Sequence, residues 1–193
     1  IKERPPEAGK HYRAFVDPSG GSSDSMTLAI GHTEGETAVL DAVRERKPPF
    51  SPESVVDEFC AALKAYGISQ VTGDRWGGEF VREAFRKRGI AYRLSDFTRS
   101  EIYLDLLPVL NSQRADLLDS PRIVAQLAAL ERRVARGGRE IIDHAPGAHD
   151  DLANAAAGVI GLCRAKPKPP GVLFGTYTMA HRGDTFPSYA GRY

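Results

Sequence analysis

The stretch His149-Asp150-Asp151-Leu152-Ala153-Asn154-Ala155-Ala156-Ala157 sets the first constraint on the fold. Two adjacent carboxylates open a helix whose remaining residues are almost all small or apolar, and a helix apolar around its circumference has to be buried. Capping gives one reason for the acids. Asp150 or Asp151 can accept the free amide hydrogens of the first turn and complement the positive end of the helix dipole. Two further acids widen the question, because each sits where an apolar run stops. Asp17 ends Tyr12-Arg13-Ala14-Phe15-Val16, and Asp74 ends Ile68-Ser69-Gln70-Val71-Thr72-Gly73. Taken singly, each is explained as a turn-capping residue. Acids at two strand ends and one helix start, far apart in sequence, are together the pattern of a carboxylate-only metal site.

The rest of the chain supplies the frame. Residues 1–11 are polar with Pro5 and Pro6 and read as a linker entering from something upstream. Strands are predicted over 12–17, 25–31 and 37–44, with short connections that make an antiparallel meander. Ser51-Pro52-Glu53 opens a helix with Val55, Val56, Phe59, Cys60 and Leu63 on one face, and Gly67 stops it. A strand over 68–72, a helix over 79–88 with Phe80, Val81, Ala84 and Phe85 inward, and a short strand over 91–94 follow. Thr98-Arg99-Ser100-Glu101 is a capping box ahead of Ile102, Leu106, Leu107 and Leu110, and Pro108 should kink that helix or end it early. A brief strand over 115–118, a helix opened by Ser120-Pro121 and a hairpin of 132–134 with 140–143 around Gly137-Gly138 lead to the helix at the paired acids. Residues 166–193 are rich in Pro, Gly, Tyr and Ser, lack periodicity and read as an irregular tail.

This order predicts one α/β domain over 12–165. Its sheet is mixed, a three-strand antiparallel meander plus parallel strands, with helices on both faces. In such a sheet the strands ending at Asp17 and Asp74 can lie side by side, with both acids at one edge. The length of 193 residues suits one core, and no run approaches the ~20 apolar residues of a membrane span. Cys60 and Cys163 fall on apolar helix faces and read as reduced core residues rather than zinc ligands. A net charge of only +1 leaves any nucleic-acid binding to a local basic face.

Crowded carboxylates repel one another, and a divalent cation removes the conflict. Oxygen ligands without cysteine or paired histidine favour magnesium or manganese, and two such ions ~3.5–4 Å apart suit hydrolysis of a phosphodiester. Arg75 and Arg82, the latter with Arg86, Lys87 and Arg88 on its helix, flank Asp74. Arg132, Arg133, Arg136 and Arg139 surround the hairpin turn. Both groups are candidate contacts for a phosphate backbone, against the plainer reading of solvated surface charge. Trp76 reads as a packing residue.

At this point the sequence resembles the ribonuclease H-like nuclease domain of phage and prophage terminase large subunits. The resemblance rests on Phe15-Val16-Asp17-Pro18-Ser19-Gly20-Gly21, on Thr72-Gly73-Asp74-Arg75-Trp76-Gly77-Gly78-Glu79, on Ser100-Glu101-Ile102-Tyr103 with Leu106-Leu107-Pro108, and on the stretch that starts at His149. It spans roughly residues 12–163. It implies an endonuclease that cuts concatemeric double-stranded viral DNA during genome packaging in the bacterial host cytoplasm, using divalent metals. By position, Asp17 matches the first-strand acid, Asp74 the second, and Asp150 or Asp151 the acid of the last helix. Helical geometry makes one of that pair a direct ligand and the other indirect; Asp151 is favoured, with Asp24 and His149 further out. The family also implies an upstream ATPase domain, a portal or procapsid and a small terminase subunit as partners. No G-x-x-x-x-G-K-[ST] loop occurs here, so the chain would be the nuclease half alone. A junction resolvase or transposase-like nuclease would place acids similarly, a phosphotransferase would bind ATP, and a non-catalytic DNA-binding or portal-docking module would use the acids only structurally.

Overall fold

The computed structural model describes residues 1–74, 78–134, 138 and 140–164. Arg75, Trp76, Arg136, Arg139, Gly137 and the predicted tail lie outside the described residues. Strands β1 (Tyr12–Asp17), β2 (Met26–Glu34) and β3 (Thr37–Arg46) form the meander, followed by α1 (Pro52–Ala65), β4 (Gln70–Gly73), α2 (Gly78–Lys87) and β5 (Ala91–Leu94). Then come α3 (Arg99–Asn111), β6 (Ala115–Asp116), α4 (Pro121–Ala128), the hairpin β7 (Leu130–Val134) and β8 (Glu140–His144), and α5 (Asp151–Arg164). The six-stranded sheet has the order β5-β4-β1-β2-β3-β6. Strands β1 to β3 pair antiparallel, whereas β4 joins β1, β5 joins β4 and β6 joins β3 in parallel. The mixed sheet is as expected, though β2 and β3 are longer than predicted because their ladder runs from Met26↔Arg46 to Glu34↔Thr37 beside the turn at Gly35.

Strand alternation divides the core in two. Ala14, Val16, Leu28 and Ile30 pack on one side against Val56, Phe59 and Leu63 of α1 and Val81 and Phe85 of α2. Phe15, Ala29 and Leu40 face the other way, against Ile102 and Leu106 of α3, Ile123 of α4 and the apolar length of α5. Helices thus cover both faces. The small residues of α5 let it lie close on the sheet. Gly158 sits directly over the Phe15 ring, where a Cβ would collide. Cys60 and Cys163 are free thiols in the two cores.

Three local expectations change. Phe80 and Leu107 are 54% and 52% exposed, since each lies one residue, or 100° of turn, away from the buried stripes Val81-Ala84-Phe85 and Ile102-Tyr103-Leu106-Val109. Pro108 neither ends α3 early nor stops its last turn, which closes at Ser112, whose hydroxyl donates to the Pro108 carbonyl at 2.8 Å. The segment over 1–11, predicted as a linker, is fastened to the domain: Glu3 pairs with Arg44 at 2.8 Å, Arg4 with Asp116 at 2.9 Å, and the Arg4 amide donates to the Asp41 carbonyl at 2.8 Å.

Candidate metal centre

The parallel register of β1 and β4 decides where the strand-end acids go. Phe15 pairs with Thr72 and Val16 with Gly73, and the Asp74 amide donates to the Val16 carbonyl at 3.3 Å. Asp17 and Asp74 therefore end adjacent strands. Above them the start of α5 is pinned to the sheet twice: Thr27 Oγ1 donates to the Asp151 carbonyl at 2.8 Å, and Asn154 Nδ2 donates to Asp17 Oδ2 at 2.8 Å. Asp17, Asp150 and Asp151 line a pocket of about 210 Å³ with Arg99, His144 and His149. Asp24 is at its rim, 3.9 Å from His149 Nδ1. Asp74 does not line this pocket but adds its charge to the surroundings of Asp17 from the neighbouring strand.

The adjacent acids on α5 have different partners. Asp150 is the N-cap: its carbonyl accepts the Asn154 amide at 2.7 Å. Its carboxylate turns to α3, where Tyr103 Oη donates to Oδ2 at 2.8 Å and Arg99 Nη1 to Oδ1 at 3.2 Å. Asp151, one step on, has a buried Oδ2 without a hydrogen-bond partner among the described residues.

Burial pushes the Asp17 carboxyl up to about 7; Arg99 and the Asn154 hydrogen bond act against this, and the Asp151 and Asp74 charges add to it. Burial also raises Asp151, helped by Asp150 and Asp24 and opposed by the Ser25 backbone. Two buried carboxyls that resist ionisation and an orphaned carboxylate oxygen fit a hard divalent cation, as does the all-oxygen donor set of Asp17, Asp74 and Asp151. Among the described residues no three His, Cys, Asp or Glu side chains stand close enough to hold one ion, so the acids share a region without forming a closed ligand shell.

Sequence reasoning missed Arg99, Tyr103 and Asn154 as site residues. Arg99 was absorbed into the capping box, which is indeed formed by Thr98 and Glu101, and nothing in that motif reports an arginine aimed at Asp150. Asn154 did carry a signal, as the one polar residue inside the apolar run after Asp151. The candidate DNA contacts lie apart from the pocket: Arg82 pairs with Glu79, Arg132 with Glu140 across the hairpin, and Arg133 with Glu131 at 2.6 Å.

Neither a protein-family model nor a curated protein matches the sequence. Solved structures do match the fold. The large terminase nuclease from thermophilic phage G20c superposes with a TM-score of 0.70 at 16% identity, covering 81% of this chain and 84% of that one. This is the fold of phage large-terminase nucleases. The HK97 bacteriophage large terminase matches with a TM-score of 0.64 at 14% identity, over 83% of this chain and 41% of its own. A mutant nuclease domain of the large terminase subunit gp2 of bacterial virus Sf6, solved with manganese and β-thujaplicinol, matches with a TM-score of 0.59 at 15% identity, over 84% and 91% of the two chains. The G20c nuclease was also solved with magnesium bound, with a TM-score of 0.69 to this chain. The mixed sheet flanked by helices is thus ribonuclease H-like.

Proposed function

We propose that this chain is a divalent-metal-dependent endonuclease that cuts concatemeric double-stranded viral DNA during genome packaging. The observation that carries the reading is the register pairing Val16 with Gly73, which sets Asp17 and Asp74 side by side beneath the start of α5. The terminase nuclease fold, seen with magnesium or manganese in its neighbours, supports it.

Asp17, Asp74 and Asp151 are the residues that would hold magnesium or manganese, in a two-ion arrangement. Such ions supply a nucleophilic water at neutral pH and stabilise the attacking and departing oxygens of the phosphodiester. The chain's own part is to orient the acids. Asn154 holds Asp17 by one oxygen. Asp150, clamped by Tyr103 and Arg99, fixes the first turn of α5 and so aims Asp151. Arg99 leaves the pocket less negative than three or four acids alone would make it. Arg82, Arg132 and Arg133 would exchange their glutamate partners for phosphates. Arg75, Arg136 and Arg139 complete that set. In the same reading residues 1–11 connect to an upstream ATPase domain, and the packaging partners are a portal or procapsid and the small terminase subunit, in the host cytoplasm.

The test is manganese-dependent cleavage of supercoiled plasmid. Asp17→Ala, Asp74→Ala and Asp151→Ala should each cut at least about a hundredfold more slowly, as the loss of several kcal/mol of charge stabilisation requires. Undiminished cleavage by all three variants would end the proposal.

A further inference from the structure

The sheet is wider than the helix lying on it. α5 packs across β1, β2 and β3. On the same face the side chains of β4 and β5 stay open: Gln70, Ala91 and Arg93 are exposed and Thr72 is half-buried. Between these strands and Leu162 of α5 lies a cleft of about 480 Å³, lined also by His11 and Arg13. Phe15, Thr72 and Arg93 form one cross-strand row. Because side chains alternate along a strand, Arg13 shares the face of Phe15 and Asp17, and Gln70 and Thr72 share that of Asp74. The cleft thus runs along β4 toward the acidic edge, with Gln70 about 13 Å from Asp74 at ~3.3 Å per residue.

Its electrostatics differ from those of the hairpin and of the other surfaces where arginines meet acids. No carboxylate of the described residues lines it. The side chains of His11, Arg13 and Arg93 have no hydrogen bond or ion pair among the described residues, whereas Arg44, Arg88, Arg122, Arg132 and Arg133 are each paired with an acid. Two unneutralised guanidiniums over a cleft without acids hold a standing positive potential, and their planar forks match phosphate oxygens. Ser69, Gln70 and Thr72 add neutral donors of the kind that contact a nucleic-acid backbone without reading bases.

We propose that this cleft seats the phosphate backbone of the DNA strand leading to the acidic pocket, with Arg13 and Arg93 as its phosphate contacts. The identity of the polyanion rests on the nuclease reading; the cleft itself is assigned from its own residues. Arg13 and Arg93, rather than the glutamate-paired arginines of the hairpin, then carry the larger share of backbone binding.

The experiment is fluorescence anisotropy of a labelled duplex with the full chain in EDTA, so that binding is read without cutting. Arg13→Gln/Arg93→Gln should bind roughly tenfold to a hundredfold more weakly, and the slope of log affinity against log salt should fall by about two. Arg13→Lys/Arg93→Lys should recover most of the affinity, and Arg132→Gln/Arg133→Gln should lose less. Unchanged affinity and slope in the glutamine pair overturns the proposal, as does a wild-type protein that binds no duplex. Plasmid cleavage by the wild type is scored separately. A protein that binds through Arg13 and Arg93 but does not cut leaves the cleft standing without the nuclease. One that cuts, with binding indifferent to both arginines, does the reverse.

Discussion

Asp17 is where the proposed chemistry and stability meet. Its unfolded value is near 3.9, and burial lifts it to about 7 in the folded chain. Between these values the folded state holds a proton that the unfolded state has lost, so metal-free stability falls as pH rises from about 4 to about 7. Asp151, also raised, contributes with the same sign. Thermal melts in EDTA should therefore show the wild type losing stability across that window, with a shallower loss in Asp17→Asn; identical slopes would show that Asp17 ionises freely. At this scale the sequence pointed to Asp17, Asp150 and Asp151, which line one pocket, but not to how the neighbours Asp150 and Asp151 differ. That distinction is made by Tyr103 and Arg99, which arrive from α3, about fifty positions earlier in the chain. No local pattern encodes an approach between distant helices.

Among the elements, α5 was the most legible, because a run of small and apolar residues from Leu152 to Cys163, broken only by the polar Asn154, has no face suited to water. Its intimacy with the sheet is sterically tuned at Gly158, whose missing side chain makes room for Phe15. Gly158→Val should cost about 1–3 kcal/mol through overpacking, plus the poorer helix preference of a β-branched residue. Urea denaturation would measure it, and a variant as stable as the wild type would mean that α5 can lift away freely. The meander, α1 and the capping box of α3 were also readable, since hydrophobic period and caps act locally. Phe80 and the early end at Pro108 were misread. An apolar residue one position off a buried stripe looks the same in sequence as one on it, and tertiary packing carries α3 through its proline.

For the whole molecule, the side-by-side placement of Asp17 and Asp74 was deducible once a mixed sheet was accepted. The order β5-β4-β1-β2-β3-β6 was not, nor was the uncovered stretch of sheet that it leaves beside α5. Strand adjacency depends on crossovers, and only their handedness and brevity are constrained in advance. The twofold pinning of α5, through Thr27 to the Asp151 carbonyl and through Asn154 to Asp17, joins the ends of two strands to the first turn of the last helix. A ligand gripping Asp17 and Asp151 together would act as a rivet between secondary structures that lie far apart along the chain. Manganese should then slow amide exchange in that turn and in β1 well beyond the carboxylates it touches, and chelation would loosen the same seam, so that cofactor supply and the rigidity of the central layer rise and fall as one.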